Sequence, residues 1–236
     1  GNFYSVPFFK PLSGNSQNYD GSDITVNKID SGLQSGVVIG RANAWGAQDL
    51  AAELASTDPM KAIANSIASY WRRERQRILI TMLNGVFAAA SMSGLVRDIA
   101  IEDGNNAGAE NKLNTTTMIE AIQACLGDNG FKIVAVALHS KVYAELQKAN
   151  LITYVPYEKQ NILIPYFLDK ALIVDDDLPV VAGGTSGYKY TSYLFAQNTI
   201  ATAEGKVKNP VETFREALKE GGREGIVNRQ RFVYHP

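Results

Sequence analysis

A single cysteine, Cys125, and two histidines, His139 and His235, are all the thiols and imidazoles in 236 residues. One thiol cannot close an internal disulfide, and three such groups are too few for a Cys/His zinc centre. Excess charge of either sign is also missing: 23 Lys and Arg face 24 Asp and Glu, leaving a formal net charge of -1. No global field therefore steers the chain onto nucleic acid or an anionic membrane. No apolar run reaches about 18 residues, the length of a membrane-spanning helix. The opening Gly1-Asn2-Phe3-Tyr4 places no basic stretch ahead of an apolar core, so the sequence predicts a soluble protein without an export signal. Lacking an initiator Met and stopping at Tyr234-His235-Pro236, it reads as a trimmed piece of a longer polypeptide. What is present is ordinary. Hydrophobic residues at 45%, charged at 20% and aromatic at 9% exclude a disordered, collagenous or coiled-coil chain and predict one large domain or two packed smaller ones.

The first forty residues are rich in turn formers and β-formers, with Phe3 to Phe9 followed by the polar stretch Ser13 to Asp23. Leu33, Ser35, Val37 and Ile39 point one way and Val38 the other, the pattern of a ribbon with a wet face. Such a ribbon offers no core for Phe3, Phe8 and Phe9, so it is expected to project and to find its apolar partner elsewhere. Ala44 to Ala55 predicts a short helix. Asp58-Pro59 then supplies an N-cap and a first-turn proline. Met60, Ile63, Ile67, Tyr70, Trp71, Ile78, Met82 and Val86 recur at three- and four-residue steps, predicting one amphipathic helix to about Ala90, on the order of 45 Å long.

Glu102 to Asn114 reads as a polar linker and a boundary. Beyond it, Thr117 with Glu120 suggests a capping box for a helix carrying Met118, Ile119, Ile122 and Leu126 and ending at Gly127. Phe131 to Leu138 is apolar on both faces and predicts a central strand, followed by a helix from Ser140 to Ala149. Further strands are expected at 162–167, 171–174, 190–195 and 199–203. The second half is thus a mixed α/β or α+β sheet domain.

Candidate chemistry is sparse. Asp175-Asp176-Asp177 offers carboxylates for a divalent metal or for acid and base work, but adjacent side chains diverge and no second carboxylate cluster or nearby His supports them, so they read as a solvated turn. Gly183-Gly184-Thr185-Ser186-Gly187 has the glycines of a phosphate loop, but it lacks the Gly-Lys-Ser/Thr ending and leads into the strand-like Tyr188-Lys189-Tyr190, so it reads as a flexible loop. His139 follows an apolar strand and precedes a helix with Ser140 as the expected cap, a structural setting. Cys125 sits among apolar neighbours, as an inert thiol does. Asn114-Thr115-Thr116 matches a glycosylation pattern, but without an export signal it reads as a helix entry. Arg72, Arg73, Arg75 and Arg77, relieved only by Glu74, form the densest charge: either the wet face of a helix or a surface that pairs with acidic residues of a neighbouring subunit. No aromatic interleaving or helix-turn-helix spacing accompanies them, which argues against direct DNA readout.

The order of elements, namely projecting ribbon, long helix, glycine-rich linker and compact mixed domain, resembles the major capsid proteins of tailed phages with the Hong Kong 97-type fold. Sequence blocks carry the resemblance: Val6-Pro-Phe-Phe-Lys-Pro-Leu12, Arg41-Ala-Asn-Ala-Trp-Gly-Ala-Gln-Asp-Leu-Ala51, and Asp58-Pro-Met60 leading into Tyr70-Trp71-Arg72. Further blocks are Ile173-Val-Asp-Asp-Asp177-Leu-Pro179, Val211-Glu-Thr-Phe-Arg215 with Gly221-Gly222, and Asn228-Arg229 through His235-Pro236. The resemblance implies an α+β fold divided into an extended loop at residues 1–42, a peripheral domain at 43–112 with its spine helix at about 59–90, an axial domain at 113–205, and a return to the peripheral domain at 206–236. It implies no catalytic residue, cofactor or metal, and a candidate inter-subunit interface made by Phe3, Phe8, Phe9, Arg72, Arg73, Arg75 and Arg77. Expected partners are other copies in hexamers and pentamers, scaffold and portal proteins, and packaged double-stranded DNA contacted without sequence preference, with no membrane. The expected location is the virion capsid, assembled in the bacterial host cytoplasm. An encapsulin-type compartment shares the fold and stays open as an alternative, as does a small α/β enzyme.

Overall fold

The computed structural model describes residues 3–21, 23–49, 53–54, 58–157, 162–219 and 221–235. It divides into two compact units, Gly1–Ala68 with Ile200–Pro236, and Ser69–Thr199. The fold is α+β with mixed sheets.

In the first unit, β1 (Phe3–Phe9) and β2 (Ser31–Val37) form an antiparallel ribbon of their own. A four-stranded sheet is built on β13 (Arg223–His235), the longest strand. β3 (Ile39–Gln48) runs antiparallel along one edge of β13. Along the other edge lie β12 (Val211–Glu216), beside the first half of β13, and β11 (Ala201–Glu204), beside its end. Phe232 is buried here at the point where β13 is flanked by β3 and β11. The helix expected at 44–55 yields to β3 as far as Gln48, because the backbone there pairs in register with β13. Asp49, Glu53 and Leu54 are helical, while 50–52 and 55 lie outside the described residues.

Helix α1 (Pro59–Phe87) begins where the sequence predicts, with Asp58 Oδ1 accepting from the Met60 N–H at 2.9 Å. Residues 59–68 belong to the first unit and 69–87 to the second. Its fully buried residues are Trp71, Ile80 and Leu83. At about 100° per residue, Trp71 and Ile80 point to opposite sides of the helix. The single stripe read from the sequence is therefore incomplete: this stretch is packed on two sides, and Phe87 stacks on Tyr193 at 5.6 Å.

The second unit holds a five-stranded sheet in the order β10 (Tyr193–Ala196), β4 (Ile133–Leu138), β7 (Lys170–Val174), β6 (Ile162–Phe167), β5 (Thr153–Tyr157). β4 and β7 are parallel and the other pairs antiparallel. β4 is central, as its two-faced hydrophobicity predicts. Helices α2 (Thr115–Leu126) and α3 (Ser140–Lys148) supply Met118 and Leu146 to a core completed by Val136, Leu138, Phe167 and Leu172. Each such side chain gains roughly 1.5–3 kcal/mol from burial. The cap of α2 is three residues earlier than expected: Asn114 Oδ1 accepts from the Thr117 N–H at 3.0 Å, and Thr117 Oγ1 accepts from the Asn114 N–H at 2.9 Å. The strand expected at 190–195 is split into β9 (Tyr188–Tyr190), which pairs with β8 (Val180–Ala182), and β10.

Candidate functional site

The acidic triplet sends each carboxylate to a different partner. Asp175 accepts from Gln76 Nε2 on α1 and, at 2.9 Å, from the Asp177 N–H. Asp177 Oδ2 accepts from Arg77 Nε at 3.3 Å. Asp176 Oδ1 accepts from the Ser140 N–H at 3.1 Å and stands 3.6 Å from His139 Nδ1. Hydrogen bonds from Ser140, with the His139 ring adding a smaller part, hold the Asp176 carboxyl below its ordinary value. The turn thus fastens the helix to a strand end and caps α3, and the carboxylates do not face a common point. Among the described residues no group of three or more His, Cys, Asp or Glu side chains converges. His139 itself is the N-cap of α3, accepting from the Lys141 N–H at 3.1 Å with its ring 5.0 Å from Tyr190. Ser140, expected as the cap, is the first helical residue.

The glycine loop is filled by the protein's own acid. Glu102 Oε2 accepts from the Gly184 N–H at 2.7 Å, and its backbone carbonyl accepts from the Thr185 and Ser186 N–H groups at 2.9 and 3.2 Å. Lys189 pairs with Glu102 Oε1 at 2.5 Å, and Ser186 Oγ donates to Asp103. The Lys189 hydrogen bond first, then the Gly184 N–H, holds Glu102 below the usual carboxylate range. The amides a phosphate would need are already committed, and the 102–106 segment read as a linker is the clamp that commits them. Close passage of Gly104 against Gly187 is what the glycines permit: a Cβ at either would lie about 3 Å from the other's backbone. Elsewhere, a depression of about 630 Å³ beside β3 is lined by residues 44–48 with Phe214 and Arg223, and carries no carboxylate, thiol or imidazole.

The exposed surfaces are more distinctive. Directly opposed residues of an antiparallel pair share a face. One ribbon face therefore carries Phe3, Pro7 and Phe9 with Leu33 and Val37, and it is bare: Phe3 is 77%, Phe9 72% and Leu33 73% exposed. The other carries Tyr4, Val6 and Phe8 opposite Gly36, Gln34 and Gly32. Phe8, at 38% exposure, lies over Gly32, where a Cβ would stand 2.6 Å from its ring. The structure thus separates Phe8 from Phe3 and Phe9. On α1, Arg72 and Arg73 are exposed, Arg75 is half-buried, and Arg77 is paired with Asp177 and, at 4.0 Å, with Glu74. The β5–β6 hairpin exposes Tyr154, Val155, Tyr157, Ile162 and Leu163, an apolar edge that the sequence reading passed over. Its density of β-formers around prolines was the available signal.

Comparison with known proteins adds a specific relative. No family model matches the chain. It is 36% identical over 237 residues to the major capsid protein of Bacillus phage SPP1, an alignment spanning 100% of this chain and 70% of that protein. The capsid structure of the cyanophage P-SCSP1u superposes with a TM-score of 0.64 at 12% identity, covering 100% of this chain and 81% of that one. The holo-SrpI encapsulin complex of Synechococcus elongatus PCC 7942 superposes with a TM-score of 0.57 at 10% identity, covering 99% and 78%. The two structural likenesses speak for the fold alone, while the sequence relative speaks for the family.

Proposed function

The chain belongs to the phage major capsid protein family, and from that membership we propose how its surfaces build a shell. It is a structural coat protein of an icosahedral phage head, and its work is assembly rather than catalysis. The observation that carries this is the 36% identity across the full chain. The fold by itself is shared with an encapsulin, so the sequence relative decides between a head and an enzyme-loaded compartment.

Residues 1–42 act as the extended loop that lies on a neighbouring copy, with the bare face of Phe3, Phe9, Leu33 and Val37 making the contact and Phe8 bracing the ribbon from within. Residues 43–112 form the peripheral domain with α1 as its spine, and residues 113–205 form the axial domain, whose tips meet around the five- and six-fold centres. Residues 206–236 return to the peripheral domain, a reading supported by the pairing of β13 with β3. Arg72 and Arg73 face acidic residues of an adjoining copy, with Arg75 and Arg77 beside them at the margin. Scaffold and portal proteins and packaged DNA complete the partners, and assembly takes place in the host cytoplasm. Many moderate contacts suffice because closure makes them multivalent. Electron microscopy of particles purified from expressing cells tests this: shells holding nucleic acid support the phage head, and shells loaded with a single enzyme favour the compartment.

A further inference from the structure

The base of the ribbon is fastened to the sheet of its own unit by three side chains. Tyr4 OH lies 3.0 Å from His235 Nδ1, and His235 Nε2 lies 2.9 Å from Gln34 Oε1. An amide oxygen only accepts, so with Gln34 so turned the proton is assigned to Nε2, leaving Nδ1 to accept from the tyrosine hydroxyl. One neutral tautomer satisfies both bonds. Tyr4 sits on β1, Gln34 on β2, and His235 at the end of β13, where it pairs with Ala201 of β11. The imidazole therefore bridges both ribbon strands to the central strand of the sheet. Gly36 makes room for it. It stands opposite Tyr4 in the register, and a Cβ there would collide with the tyrosine ring. The tyrosine and histidine rings meet at 5.8 Å between centroids. Val38 alone separates β2 from β3, so the covalent join between ribbon and sheet is one residue long.

We propose that Tyr4, His235 and Gln34 form a latch that fixes the angle of the ribbon to the β3–β13 sheet and so aims the bare Phe3 and Phe9 face. They are positioning residues. The latch concerns a single copy, while its use in assembly rests on the shell reading above.

The test places spin labels at Ser31→Cys, on the far end of β2, and at Thr213→Cys, exposed on β12, in a Cys125→Ser background, and measures their separation in unassembled chain by pulsed electron resonance. The parent is expected to give one narrow distance distribution. Tyr4→Phe keeps the ring and loses the hydroxyl, and it should broaden the distribution. His235→Ala should broaden it further, while His235→Gln, which retains a donor and an acceptor, should recover part of the narrowness. In nitrogen-15 spectra of the imidazole, the parent should show the Nε2–H tautomer, with an Nδ1 resonance that moves in Tyr4→Phe. Distance distributions unchanged in both Tyr4→Phe and His235→Ala overturn the latch, as does the opposite tautomer. Failure of the unlabelled parent to form shells under any assembly condition, including co-expression with neighbouring genes, would instead sink the shell reading and leave the distance result standing.

Discussion

The β1–β2 ribbon and the five-stranded sheet of the second unit draw on the same aromatic and aliphatic residues, yet they end in opposite surroundings. In the sheet, Phe167 is 1% exposed because α2 and α3 close over it with Met118 and Leu146. In the ribbon, Phe3 and Phe9 are largely bare, and among the described residues no second layer of the unit covers them. A two-stranded ribbon is marginal alone, so its register needs internal braces, and Tyr4 over Gly36 and Phe8 over Gly32 supply them. Exposure here is divided by strand parity: Tyr4 and Phe8 on one face brace the ribbon, and Phe3, Phe9 and Leu33 on the other stay bare.

The sharpest break of this comparison is to remove an aromatic from each region. Phe167→Ala should cost about 3–5 kcal/mol and leave little folded protein, read by urea unfolding. Phe3→Ser combined with Phe9→Ser should change unfolding by no more than about 0.5 kcal/mol. The same pair should weaken association by at least about tenfold, seen as loss of particles in sedimentation. Comparable destabilisation by both sets would erase the distinction. Next in size, Asn114→Ala removes the cap of α2 and should cost about 1 kcal/mol of stability in the second unit without affecting particles directly. Arg72→Glu with Arg73→Glu should leave melting unchanged and reduce particle yield in a salt-dependent way, since both side chains are exposed.

The smallest effect is on alkaline titration. Tyr143 OH lies 3.1 Å from Tyr154 OH, and this hydrogen bond, with some burial, pushes Tyr143 up to about 12 while Tyr154 is lowered. A tyrosine that ionises near 10 when unfolded and near 12 when folded keeps its proton longer in the native state. The Tyr143 contribution to stability is therefore complete below about pH 10 and is lost as pH rises toward about 12, while the lowered Tyr154 works in the opposite sense. Absorbance of tyrosinate should show one late-titrating group, and Tyr154→Phe should bring it back toward the ordinary value.

Long local patterns were legible in the sequence. The start of α1 at Asp58-Pro59, the central place of β4 and the α3 span all follow from capping and periodicity. Long-range pairing was not. β13 was missed because Gly225, Asn228 and charged residues interrupt its alternation, and the strand is stabilised by neighbours distant in sequence. Alanines at 42, 44 and 47 favour a helix locally, but pairing with β13 overrides that preference. The ribbon's aromatics were grouped by proximity, when period two already separates Phe8 from Phe3 and Phe9, and the glycines at 32 and 36 mark the braced face.

Whether this chain is a shell-forming coat protein is best tested by electron cryomicroscopy of particles purified from expressing cells. Closed icosahedral particles are predicted, with density for the ribbon's Phe3 and Phe9 face against an adjacent copy. A folded, monodisperse monomer that forms no shells under any assembly condition, including co-expression with neighbouring genes, would contradict it.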